Sequence, residues 1–422
     1  MEIGPYIRLH RIQQEMTQAE LAEGIVSYAY LSKIENQKAE ASPNVISLLC
    51  TRLGIQPNNE SDETIREKCE QWFRMLFSEN DKNEMIRIYH ELNQLLYDSH
   101  SSENLIMFEI HKIRYFLITG EVDEALKQIN KLAEMADTFD SLHQFYWYKF
   151  RGNYSSVNGE FNQAMRMYRQ ADNKLNQLDL PENETADLQY VMAVTHSKLR
   201  NTLEAIEYAE KAIAIFRKNY HFTRCAQCHI VLGISYRRIR MHEKAIKNYN
   251  LAKHLGKLNQ NKQIIQLTNQ NLGYLYSTIG KREDAIFHYE EIVGDSEVLL
   301  FERILAATSL IRAYYSNFNV EKTKEMIEKS LELLDKADDK ETYQLFYFIT
   351  YTYDYAINRN KGKFERLVID EFIPYLKKHK DYANLVIYSN MLAEHFERNN
   401  RYKESVKYYK LANETYDELV SL

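Results

Sequence analysis

The chain has 422 residues, 45% of them hydrophobic, which is long enough for two cores or one extended repeat array. Only 5 prolines and 12 glycines punctuate it, which excludes a sheet protein with its many turns in favour of a nearly all-helical one. The formal net charge of −6 excludes a uniformly basic surface, and 4 cysteines are too few for a disulfide scaffold.

The opening stretch MEIGPYIRLH carries no apolar run behind a basic start. No segment approaches the roughly 18–20 apolar residues that span a bilayer. A cytoplasmic chain without membrane contact is therefore expected. An apolar first helix is read from Ile3, Ile7 and Ile12. Thr17 and Glu20 then form a T-x-x-E capping box, in which a hydroxyl and a carboxylate satisfy the open backbone N–H groups of a new helix. That helix starts near Gln18 and turns Leu21, Ala22 and Ile25 to one side, with Ala22 small enough for a second helix to cross closely. Ser27 caps the second helix, whose Leu31 and Ile34 point back to the core. Ala29, Ser32, Lys33 and Asn36 then face away, with Tyr28 and Tyr30 on the flanks. Gln18, Tyr28, Ala29, Ser32, Lys33 and Asn36 are the predicted DNA contacts. A later helix, NVISLLCTRLGI, completes a predicted five-helix unit ending near Pro57.

Arg8, Arg11, Lys33, Lys38 and Arg52 in this segment are opposed by Glu2, Glu15, Glu20, Glu23, Glu35 and Glu40. The module is not basic overall, so binding depends on where charge sits and on a dimer engaging paired half-sites. A repressor-like module that serves protein contacts instead of DNA is the alternative.

From about residue 65 to 420 the sequence repeats itself. GEFNQAMRMYRQA, LEAIEYAEKA, MHEKAIKNYNLA, KREDAIFHYEEI and RYKESVKYYKLA share a small residue, a ring or small residue four on, and a small or apolar residue three beyond. This is the second helix of a tetratricopeptide unit, where small residues allow close crossing and the ring fills the space between neighbours. The small position recurs at Ala125, Ala164, Ala205, Ala245, Ala285 and Thr323, in steps of 39, 41, 40, 40 and 38 by subtraction. Ser405 lies 82 beyond Thr323, leaving room for one degenerate unit around Phe364, and Met85 lies 40 before Ala125. The step exceeds the usual repeat of about 34 residues, implying longer helices. The fold class is all-α: a helix-turn-helix domain (1–58), a linker (59–70), and a right-handed superhelix (71–422) of about eight or nine helix pairs.

First helices line the concave face of such a stack, which ordinarily holds an extended peptide or another protein. Candidate peptide contacts are Lys149, Asn153, Gln227, Arg237, Gln270, Asn271, Tyr274, Arg312, Asn390 and Arg398, with Tyr146, Tyr190 and Glu394 as further inner positions. An Asn amide donates to one peptide carbonyl and accepts from the next N–H, whereas Arg selects a carboxylate. Residues 225–229, CAQCH, have the spacing of c-type haem attachment, but they lie inside a helical pattern and no second C-x-x-C supplies zinc ligands. They read as soft core residues with His229 at a helix surface. No phosphate loop, HExxH or GxSxG occurs, so no catalytic residue, metal or cofactor is expected.

MTQAELA followed by LSKIEN, then SP and an apolar helix ending LGI, resembles the phage-repressor (Xre-type) helix-turn-helix, with a turn one residue shorter than usual. Together with NLGYLY and the repeats, nearly the whole chain resembles the Rap–NprR–PlcR–PrgX family of peptide-sensing regulators, nearest in length to its NprR-type and longer PlcR-type members. The resemblance implies a cytoplasmic quorum-sensing transcription regulator, a homodimer or higher homo-oligomer on a palindromic operator. Its array would carry a short imported signalling peptide, with the clamp asparagine at Asn271. It also implies two alternatives. One is a Rap-like grip on a sporulation response regulator in the peptide-free state, using residues 61–100; the other is an arbitrium-type phage receptor, in which peptide abolishes DNA binding.

Overall fold

The computed structural model describes residues 3–55, 63–77, 82–99 and 102–421, and every regular element among them is helical. The N-terminal module has four helices, α1 (Ile3–Gln13), α2 (Gln18–Ala22), α3 (Tyr28–Glu35) and α4 (Pro43–Arg52). The capping box forms as expected: Thr17 accepts from the Glu20 N–H while Glu20 accepts from the Thr17 N–H. Ser27 caps α3 and Ser42 caps α4, where Pro43 gives up an N–H that no helical carbonyl would use. Leu21, Ala22, Leu31, Ile34, Leu49 and Cys50 close the module core. Its expected end near Pro57 and residues 59–62 of the expected linker lie outside the described residues. From residue 63 the linker segment is helical, the first half of α5 (Glu63–Met75), so the fifth helix belongs with the repeats that follow.

The described helices pair as α5 with α6 (Lys82–Ser99), α7 (Ser102–Thr119) with α8 (Val122–Ala133), and α9 (Ser141–Val157) with α10 (Phe161–Leu175). Next come α11 (Glu182–Lys198) with α12 (Thr202–Lys218), then α13 (Phe222–Arg238), whose His229 and Tyr236 meet Asn248 and Lys244 in the first half of α14 (His242–Leu258), and α15 (Lys262–Thr278) with α16 (Arg282–Val293). The last are α17 (Leu300–Ser316) with α18 (Val320–Leu334), α19 (Gln344–Ile357) with a broken partner, and α22 (Tyr382–Arg398) with α23 (Tyr402–Ser421). Most first helices run 17 residues, which accounts for the long repeat step. The repeat positions Met85, Ala125, Ala164, Ala205, Ala245, Ala285, Thr323, Phe364 and Ser405 are all buried.

The broken partner consists of α20 (Lys361–Arg366), a π-helical turn (Leu367–Phe372) and α21 (Ile373–Lys378). Pro374 cannot donate to the carbonyl one turn back, and a π turn before it absorbs the missing bond. This is the degenerate unit around Phe364, whose ring is nonetheless buried. Tight turns join first and second helices. Gly159 and Gly280 close them at φ +78°, while Arg200 and Arg240 take the same left-handed conformation at a strain of roughly 1–2 kcal/mol each. The chain divides within α14 into two compact units, residues 1–248 and 249–422. The first contains the N-terminal module together with α5–α13.

Candidate functional site

In the first unit, α3 presents Tyr28 (67% exposed), Ala29 and Lys33 to solvent, with Ser32 half-buried behind them. Asn36 is the C-cap of α3; its Nδ2 lies 3.4 Å from Ser32 Oγ. Tyr30 donates to the Glu40 carbonyl at 2.9 Å, fixing the loop after α3. Gln18 does not point outward: its Nε2 donates to Glu35 Oε2 at 2.7 Å.

Three of the five cations counted for this module serve the fold. Arg11 and Glu35 are buried and pair through Nε–Oε1 at 2.7 Å and Nη2–Oε2 at 2.9 Å. Arg52 donates to the carbonyls of Glu20, Leu21 and Glu23, the open C-terminal end of α2, where a cation opposes the helix dipole. Arg8 reaches Asn36, Asp137 and the Glu134 carbonyl. Lys33 and Lys38 remain exposed.

On the array, one network links four successive first helices, which places its members on one face of the stack. Lys149 of α9 is fully buried, with Nζ 2.7 Å from Glu184 Oε2 and 2.8 Å from Asp187 Oδ2 on α11. Arg224 of α13 lies 2.9 Å from Asp187 Oδ1 and donates to Gln227 at 3.1 Å. Burial works against the Lys149 ammonium, but Asp187 and Glu184 outweigh it and hold its pKa above the ordinary value. Burial alone would raise Asp187; Lys149, Arg224 and Arg114 of α7 pull it well below the usual carboxylate range. Tyr146 donates to Glu184 at 3.1 Å, and the Tyr190 ring lies under Arg224. The end of α5 sits on this face: Arg224 donates to the Phe77 carbonyl at 3.0 Å, Arg114 lies 3.4 Å from that of Leu76, and Lys149 lies 4.7 Å above the Phe77 ring. Here the expected groove is filled by its own chain. Asn153 is likewise buried and accepts from Tyr168 at 2.9 Å, while Arg237 is half-buried near the end of α13.

In the second unit, α15 carries three candidates together. Tyr274 is 51% exposed, and Gln270 is half-buried with an Oε1 that accepts no hydrogen bond among the described residues. Asn271 donates to the Leu267 carbonyl at 2.7 Å and receives Tyr249 Oη at 3.4 Å. Arg312 of α17 is spoken for by α22, through Asn384 Oδ1 at 2.8 Å and Tyr388 Oη at 3.1 Å. Asn390 is half-buried; Arg398 is exposed and pairs with Glu394 on its own helix.

Sequence reasoning missed Arg114, Asp187 and Arg224. Their signal was the recurrence of charge with Lys149 along successive first helices, in steps of 35, 38 and 37 residues by subtraction. Cys225 and Cys228 are buried, with thiol pKa values raised by burial, and His229 is half-buried against Asn248 Oδ1 at 2.8 Å, so it is less a surface residue than expected. Among the described residues no cluster of His, Cys, Asp and Glu could hold a metal, and no helix is long and apolar enough to cross a membrane.

Residues 7–58 match a helix-turn-helix family and residues 147–299 match the soluble NSF attachment protein family. The chain is 32% identical over 408 residues to the transcriptional activator NprA of Geobacillus stearothermophilus, covering 95% of this chain and 100% of that one. The apo form of the quorum sensor NprR from B. thuringiensis has the same fold, with a TM-score of 0.71 at 18% identity over 84% of this chain and 99% of that one. NprR in complex with its cognate peptide NprX gives a TM-score of 0.56 at 19% identity, over 85% and 100%.

Proposed function

Since the chain belongs to the Rap–NprR–PlcR–PrgX family of helix-turn-helix, tetratricopeptide regulators, we propose that it is a cytoplasmic quorum-sensing transcription regulator. Its N-terminal module binds DNA, and its array binds a short signalling peptide. The observation that carries this reading is a capped α3 whose Tyr28, Ala29 and Lys33 stand exposed, on the same chain as a long run of paired helices among the described residues. No catalytic step is assigned to it.

Lys33 meets phosphate or a base edge, with Tyr28, Ala29, Ser32 and Asn36 beside it, while Gln18 positions α3 through Glu35. One module with so few free cations binds weakly, so a homodimer engages two half-sites about 34 Å apart. Asn271 clamps peptide backbone. Gln270 supports this assignment, because its unsatisfied amide oxygen is an acceptor for a peptide N–H, and Tyr274 offers an exposed ring. Lys149 and Arg312, held by their own chain, shape the inner face rather than touch the peptide.

Peptide shifts the equilibrium only through different affinity for two arrangements of the dimer, and moving it from mostly inactive to mostly active takes about 3–5 kcal/mol. The test is a gel shift on DNA upstream of the gene, with and without synthetic peptides from the adjacent short open reading frame. Asn271→Ala is expected to lose the peptide response while keeping basal DNA binding, and Lys33→Ala to lose DNA binding while still binding peptide in calorimetry. Equal peptide affinity in Asn271→Ala and parent would overturn the clamp assignment.

A further inference from the structure

A helix on the outside of a small module ordinarily buries one stripe, yet α1 buries Gly4, Pro5, Tyr6, Ile7, Leu9, His10 and Arg11. It therefore has two partners. One is the core of its own module, approached so closely that a Cβ on Gly4 would collide with the Ile34 carbonyl. The other is the array: α1 packs on α7, and the apolar core runs without a break from Tyr6 and Leu9 through Trp72 and Phe108 to Phe150.

Arg8 lies where these partners meet. Its Nη1 donates to Asn36 Oδ1 at 2.7 Å and lies 3.3 Å from Asp137 Oδ1, and its Nη2 donates to the Glu134 carbonyl. Asn36 is the C-cap of α3 and Glu134 the C-cap of α8. The guanidinium thus sits between two helix C-termini, bonded to the capping side chain of α3 and to the capping carbonyl of α8, with the negative end of a helix dipole on either side, an arrangement that favours a cation. The arginine is 13% exposed, so it is not a solvated surface charge that happens to pass an acid.

We propose that this contact is a seat: Arg8 is a positioning residue that fastens the DNA-reading module to the turn between α8 and α9, so that the array carries the module as one body. Seating leaves Tyr28, Ala29 and Lys33 exposed, so the contact presents the reader rather than blocking it. The inference rests on the proposed function in one respect. Rearranging two arrays can set the spacing of two readers only if each reader is fixed to its array. A loosely tethered module would sample many spacings whatever the array did.

The experiment uses the full chain without DNA or peptide, so its outcome is independent of the peptide and operator assignments. Spin labels go on Lys38→Cys in the reader and Gln170→Cys in α10; both positions are exposed, and Cys50, Cys69, Cys225 and Cys228 are buried. In parent chain diluted with excess unlabelled parent, so that only the distance within one protomer is read, one narrow distance is expected. Asp137→Arg, which sets a second guanidinium against Arg8, is expected to lose that distance for a broad distribution while the helical circular dichroism is kept. Arg8→Ala is the second variant and is expected to do the same. A narrow parent-like distance retained in both variants, or a broad distribution already present in the parent, overturns the proposal.

Discussion

Replacing Glu35 by alanine should loosen the reader selectively. Its carboxylate is fully buried and accepts three hydrogen bonds, from Arg11 Nε at 2.7 Å, Arg11 Nη2 at 2.9 Å and Gln18 Nε2 at 2.7 Å. Without it, Arg11 keeps only its bond to the Met16 carbonyl at 2.8 Å and remains a buried cation with no counterion. Breaking a buried pair from one side costs about 3–5 kcal/mol, chiefly the desolvation of the charge left behind. A module of this size holds roughly 3–8 kcal/mol in total, so the loss runs from about 40% of its stability to all of it. At about 1.4 kcal/mol per tenfold, amide exchange in α1–α4 should accelerate between about 100-fold and 3,000-fold, with α10 and α12 unchanged. Glu35→Gln retains the shape and the neutral hydrogen bonds and should fall between parent and alanine. Hydrogen exchange read by mass spectrometry on the full chain makes the measurement, and a gel shift should show DNA binding falling in the same order. If exchange in α1–α4 matched the parent in both Glu35→Ala and Arg11→Ala, the pair would not hold the module together.

Two further outcomes test the array. A Cβ on Gly273 would fall 2.7 Å from Tyr289 Cε1 in a ring that has no room to retreat, so Gly273→Ala should destabilise by about 1–3 kcal/mol in calorimetry. Gly362→Ala, with open space around it in α20, should be neutral or slightly stabilising, because helix propensity favours Ala over Gly; a similar small gain at Gly273 would show that the ring yields and the contact carries no cost. Burial pushes His111 down to about 3 and His288 down to about 4, so both are neutral in the folded chain, whereas the unfolded chain protonates them near pH 6.5. Their stability contribution is complete above about pH 6.5 and is lost as the pH falls from there to about 4 for His288 and about 3 for His111, at up to about 1.4 kcal/mol per pH unit for each group. His111→Phe should flatten that dependence in melting curves between pH 7.5 and 5, and an unchanged slope would refute the buried neutral imidazole.

Periodicity and caps were legible from residue types alone. Thr17, Ser27 and Ser42 each bond a backbone N–H one turn ahead, a contact within four residues that no distant packing can alter. The small positions spaced by about 40 residues found their neighbours because each repeat buries the same face against the next. Site residues were less legible, because a residue's face on a helix can be read from spacing while its partner cannot. Lys149 and Arg312 lie on the expected helices, but residues 35–76 positions away occupy them. Arg8 and Arg11 counted equally as charges in the sequence; one closes the module core and the other reaches residues 126–129 positions further on.

What the sequence determined by itself was the kind of molecule: a capped helix pair with an outward α3, followed by antiparallel pairs repeating at a fixed step. Those features rest on hydrogen bonds and burial patterns that are local in the chain. Tertiary structure alone decided which charges are free. Taking an ion out of water is tolerated only beside a partner, and that partner is supplied by whichever distant helix the fold brings alongside.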